Sequence, residues 1–169
     1  PGEGISEFQY GNKSKKIWQV IKQYDEEEFK DDDTSLGYAV DVYQETINKV
    51  FREYLVNFTY LTYLMEQYGF RKLNETEIKD FDLPGNDSIC SFENYFKQME
   101  EEIKRDPTKE TNYKQALNMS PEEKRISYLN NAFVFKKIRN VNAEQIKKIM
   151  EKRVEEEIKE QDKQVAELE

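Results

Sequence analysis

The stretch VDVYQETINKVFREYLVNFTYLTYLMEQYGF, residues 40–70, decides how this chain is read. Just ahead of it and through its opening, Tyr38, Val40 and Val42 share one parity, so GYAVDVYQE at 37–45 predicts a strand. The second half changes period. Tyr54, Phe58, Leu61, Met65 and Tyr68 recur at steps of three and four, Leu55 and Leu64 widen the stripe, and Gly69 stands at the C′ stop. This pattern predicts a helix over 53–68.

Upstream, IWQVIKQY at 17–24 places Trp18, Val20 and Tyr24 on one parity and Ile17 and Ile21 on the other, a strand with both faces partly covered. The run DEEEFKDDD at 25–33 repels itself and predicts an exposed acidic loop, so the two strands form a long hairpin. Residues 1–16, polar and glycine-bearing, read as an entering loop.

Downstream, FRKL at 70–73 predicts a short strand and DLPGNDS at 82–88 a turn. A second helix follows Ser91, with Phe92, Tyr95, Phe96, Met99 and Ile103 in one stripe, and Asp106-Pro107 stops it. Ser120-Pro121-Glu122-Glu123 is a capping box that opens a short helix over 121–129. AFVFKKI at 132–138 predicts one strand. Asn142 caps a last helix through about residue 167, whose apolar stripe (Ile146, Ile149, Met150, Val154, Ile158, Val165, Leu168) is narrow, so it docks by one edge or projects into solvent.

Composition removes several chemistries. The chain has 169 residues, no histidine and a single cysteine, Cys90. A Ser-His-Asp triad, a Cys-His dyad, an intrachain disulfide and a multi-cysteine zinc site therefore cannot be built from it. Charged residues make up 36% against 37% hydrophobic, below the usual apolar share, but 13% aromatics supply enough ring surface for a core. No apolar run approaches the roughly 20 residues of a membrane span. A net charge of −9 argues against non-specific nucleic-acid binding through a basic face. Cys90 reads as a small buried apolar residue, the 25–33 run as a solvated loop without calcium-loop spacing, and Trp18, Tyr38 and Tyr43 as core.

The block at 40–70, with its E-Y-L-V motif opening a helix that closes at Y-G-F, resembles the C-terminal half of the mRNA cap (guanine-N7) methyltransferases of large cytoplasmic DNA viruses. GNKSKKIWQVIKQYD at 11–25 is similar to that family's hairpin entry, and ALNMSPEEKRISYLNNAFVFKKIRNV at 116–141 to its closing helix and final strand. The resemblance spans residues 1–141 as one cap-binding portion, with 142–169 as a separate charged helix. It implies an α/β fold: the C-terminal portion of a Rossmann-like class I methyltransferase, with an inserted β-hairpin, helices and closing antiparallel strands, followed by the long C-terminal helix.

The resemblance also implies S-adenosylmethionine as methyl donor, bound mainly by an N-terminal half. No G-x-G-x-x-G occurs here, so that half is expected in cis or trans. Capped or GpppN-ended mRNA is the implied substrate, a stimulatory small subunit a further partner, and a cytoplasmic viral factory or the virion the location. No membrane association is implied. Methylation at N7 needs no general base, because the ring lone pair is free and the donor is activated; orientation and desolvation suffice.

Recognition of the guanine falls, by the motif match, to Glu53, whose carboxylate suits the two-donor N1–H and N2–H₂ edge. As an ordinary residue it would be an acid at a helix N-terminus. Relatives place a tyrosine two residues before the final strand; that place falls on Asn130, which would lose aromatic contact. Tyr128, two residues earlier, is the alternative after a shift of register. A non-catalytic interaction module or a stand-alone cap binder derived from the same family is the competing reading.

Overall fold

The computed structural model describes residues 3–10, 13–83 and 87–166. It is a mixed α/β structure with small antiparallel sheets. Strands β1 (Glu3–Tyr10), β2 (Lys13–Lys22), β3 (Ala39–Gln44) and β4 (Lys49–Tyr54) form a meander in that order. Helix α1 (Phe58–Gln67) leads to β5 (Phe70–Lys72), and the short α2 (Glu75–Asp80) to β6 (Ile89–Ser91). Then come α3 (Phe92–Arg105), a 3₁₀ turn, the single-turn α4 (Glu110–Tyr113), a second 3₁₀ turn and α5 (Pro121–Ser127). Strands β7 (Asn131–Phe133) and β8 (Phe135–Lys137) and helix α6 (Ala143–Ala166) complete it.

The expected hairpin of residues 17–24 and 37–45 is present as β2 and β3, paired antiparallel with Val20 opposite Val42. The loop between them is exposed along its acidic run from residue 25 to 31, with Asp32 and Asp33 half-buried. It is pinned by Phe29, whose ring meets Tyr24 and Tyr38 at 5.6 and 4.7 Å. The pairing places Trp18, Val20, Val40, Val42, Phe51 and Glu53 on one sheet face. Trp18, Val40 and Val42 of that face are buried. Helix α5 docks there: the Trp18 indole N–H donates to the Glu122 carbonyl at 2.9 Å, with Arg125 over the ring.

Two expectations near the quoted stretch are corrected. Residues 3–10 and 13–16 are strand and not an entering loop: β1 pairs antiparallel with β2, which begins at Lys13, and polar side chains give such a pair no apolar period to read. The helix expected from residue 53 begins at Phe58, and residues 49–54 are strand β4. Asn48, in the left-handed region at φ 53°, turns the chain back onto β3, and Arg52 pairs with Asp41 across the ladder at 2.8 Å. Asn57 then caps the helix by accepting from Tyr60 N at 3.0 Å. Tyr54 fits a helical stripe by spacing alone, but the asparagine sets the start.

The strand expected over 132–138 is two strands. Its halves on either side of Val134 pair antiparallel with different partners: β7 with β6 and β8 with β5. Helices α2 and α4 and strand β6 carried no apolar period long enough to show in the sequence, although Asn74 and Glu77 form a capping box. The stop at Gly69, the helix start after Ser91 and the cap at Ser120 stand as expected, and Ser91 itself caps α3 by accepting from Asn94 N. Gly69 sits at φ 85°, and a Cβ there would lie 2.4 Å from the Arg139 carbonyl. The expected turn at 82–88 falls partly on 84–86, outside the described residues, as does Leu168 of the last stripe.

The β5–β8 pair is clamped by charge. Glu77 of α2 accepts from Arg71 of β5 in a bidentate pair, both bonds 2.7 Å, and from Lys136 of β8 at 2.6 Å. These cations hold its carboxyl far below the usual carboxylate range. Helix α6 half-buries Ile146, Met150 and Val154, and its Arg153 donates to the Tyr63 hydroxyl of α1 at 2.6 Å.

Candidate functional site

Helix α3 presents one aromatic face because its rings recur at three and four: Phe92, Tyr95, Phe96 and Met99 lie along it. Phe96 and Met99 go into the core. Phe92 and Tyr95, with centroids 6.3 Å apart, line the wall of a cleft of about 780 Å³. The far side is built from Asp82 and Leu83 after α2, from Tyr113, Ala116 and Met119, and from Ser127 and Tyr128 at the end of α5. Its size lies within the ≈ 300–1,000 Å³ of small-molecule pockets. Five aromatic rings and three carboxylates (Asp82, Glu101, Glu102) line it, against one guanidinium, Arg105.

Glu102 is the organised acid of this cleft. It accepts from the Lys109 ammonium and from the Tyr113 hydroxyl. The lysine first and the tyrosine second hold its carboxyl below the ordinary range. The same contact pushes the Tyr113 hydroxyl up. Burial raises the Tyr95 hydroxyl and, with Glu100 and Glu93 adding to it, that of Tyr128. All three tyrosines therefore stay neutral hydrogen-bonding groups at neutral pH.

The structure separates the three residues singled out in the sequence. Tyr128 lines the cleft and tilts against Phe96 at 5.9 Å. Asn130 lies outside the cleft lining and closes α5: its amide donates to the Ile126 and Ser127 carbonyls at 3.2 Å each, and its own carbonyl accepts from Phe92 N. Glu53 lies in β4, opposite Val40 and exposed, not at a helix N-terminus and not in the cleft lining. It does share its sheet face with Trp18, the face that receives α5. Tyr95, Tyr113, Glu101 and Glu102 were missed as site residues; the α3 stripe contained the signal but reads first as core.

No nucleotide cradle of the donor type is formed by the described residues. Both described glycines with positive φ, Gly37 and Gly69, lie outside a glycine-rich strand-to-helix turn, and the space at Gly69 is filled by Arg139 backbone. The described residues therefore offer S-adenosylmethionine no glycine-rich phosphate-type turn. Among the described residues no group of three or more His, Cys, Asp or Glu side chains is placed to hold a metal ion, and no helix is long and apolar enough to cross a membrane. Cys90 is buried, which pushes its thiol up and leaves it a packing residue.

No protein-family profile matches the chain, and no curated protein sequence matches it significantly.

Proposed function

We propose that the chain supplies the cap-guanine pocket of an S-adenosylmethionine-dependent mRNA cap guanine-N7 methyltransferase of the large-DNA-virus type. One observation carries the reading: Tyr128 lines an aromatic, carboxylate-bearing cleft of nucleoside size. A purine stacks on rings such as those of α3, and its N1–H and N2–H₂ donors need an anionic acceptor. Glu53 is retained as a cap contact from the sheet face it shares with Trp18, outside the cleft lining, and Asn130 as the residue that fixes where α5 ends and so where Tyr128 points.

The wider fold in this proposal is Rossmann-like. The antiparallel β5–β8 pair directly after α1 suits the closing strands of such a sheet. Two strands of three residues are too short to stand alone, so their open edges suit pairing with the donor-binding half, in cis or in trans. When bound there, S-adenosylmethionine supplies an electrophilic methyl group. The proposal places the work on capped or GpppN-ended mRNA, in a cytoplasmic viral factory or the virion, with a stimulatory subunit as a further partner.

The test is equilibrium binding of GpppA to the full chain and to two variants, Glu53→Gln and Tyr128→Leu, each checked for an unchanged circular dichroism spectrum. Glu53→Gln is expected to weaken binding about tenfold or more, the ~1.5–3 kcal/mol of a charge-assisted hydrogen bond, and Tyr128→Leu severalfold, the ~0.5–1.5 kcal/mol of a lost ring contact. Unchanged affinity in both variants overturns the proposal. Loss in Tyr128→Leu alone removes Glu53 from the site.

A further inference from the structure

The lining of the α3 cleft combines rings and acids in a way that cap binding alone does not require. Its acids outnumber its cations, and its rings offer π faces. A neutral base gains stacking from such a wall; a cationic ring gains stacking, cation–π attraction and the field of the carboxylates together. The molecule already answers in this way to a cation of its own. Lys124 of α5 sets its ammonium 4.2 Å from the centre of Phe96, on the ring that Tyr128 tilts against. With Phe96 buried and taken by Lys124, the rings left to a ligand are Phe92, Tyr95, Tyr113 and Tyr128.

Methylating guanine at N7 turns a neutral ring into a cation and leaves the N1–H and N2–H₂ edge in place. We propose that this cleft binds the N7-methylated, positively charged guanine in preference to the unmethylated base, so that it reads the methylation state of a cap. Phe92 and Tyr95 form the stacking wall, and Glu101, exposed at the rim, together with Asp82 supplies charge. Glu102, tied to Lys109 and Tyr113, holds the opposite wall in place. This inference rests on the cap-guanine reading above and specifies its ligand.

The experiment is equilibrium dialysis of the full chain against 7-methyl-GMP and, separately, GMP at neutral pH and low salt. The methylated nucleotide is expected to bind at least tenfold more tightly. Glu101→Gln, a surface change of the same shape, is expected to shrink that preference severalfold, and Phe92→Leu to weaken both nucleotides. Equal affinities overturn the inference; if Glu53→Gln then abolishes both, the cap reading stands without it. A preference undiminished in Glu101→Gln and Phe92→Leu puts the base elsewhere and overturns it too. Binding of neither nucleotide overturns the inference and the cap reading together.

Discussion

Residues 3–54 and residues 70–137 are assembled by different means. In the first region every strand pairs with its neighbour in sequence, and the register of β2, β3 and β4 follows from side-chain parity. In the second, β5 and β6 wait for partners that arrive only after α3 and α5 have been laid down, and a single apolar run serves both at once. Polar groups hold that arrangement: the Glu77 clamp, and Ser88, buried, whose hydroxyl accepts from Leu73 N at 2.5 Å while its carbonyl accepts from Val134 N at 2.8 Å. The cleft belongs to this second region. Its lining comes from residues 82 to 128, the stretch that lies mostly between the paired strands β6 and β7.

Trp18 joins the two regions, and its removal is the strongest way to break the comparison. Trp18→Ala leaves a cavity under α5 and is expected to cost ~3–5 kcal/mol. Urea unfolding followed by circular dichroism checks this, with Trp18→Phe recovering most of the loss. A cost under ~1 kcal/mol would mean the regions are held together by something else.

Glu77 tests the second region alone. Its carboxyl is lowered from the ordinary 4.5 on folding, chiefly by Arg71 and then by Lys136. A lowered folded value contributes stability above the unfolded one, lost as pH falls through the folded one. Thermal midpoints should therefore fall steeply below about pH 4.5 in the parent. They should fall less steeply in Glu77→Gln, which is already weakened at pH 7. Parallel curves would show that the clamp contributes nothing.

Neighbouring strands sharpen the contrast within the first region. Val42 of β3 is buried and Val50 of β4 is 60% exposed. Val42→Ala is expected to cost about 2 kcal/mol and Val50→Ala no more than about 0.5 kcal/mol. Equal costs in denaturant titrations would mean that β4 is covered in solution.

Legibility followed the same division. The β2–β3 hairpin, the end of α1, α3, and α5 with its cap could be read because parity, period and capping are local. The start of α1 was misplaced because Tyr54 and Leu55 continue its stripe while belonging to, or directly following, a strand. The split at Val134 leaves no mark in the sequence, since both halves are apolar and only their distant partners differ. The place before the final strands pointed to Asn130, with Tyr128 as the alternative after a shift of register, and of the two only Tyr128 lines the cleft. Glu101 and Glu102 were not, because two acids on a charged helix look like a solvated face until Lys109, Tyr113 and the α5 end are brought opposite them.

The central claim is that the guanine lies between α3 and the end of α5. Photocrosslinking measures this directly, with a GpppA analogue carrying an 8-azido group on its guanine and mass mapping of the adduct on the full chain. The account predicts adducts within residues 82–83, 92–105 or 113–128, suppressed by excess unlabelled GpppA. Adducts confined to other segments, or insensitive to the competitor, would contradict it.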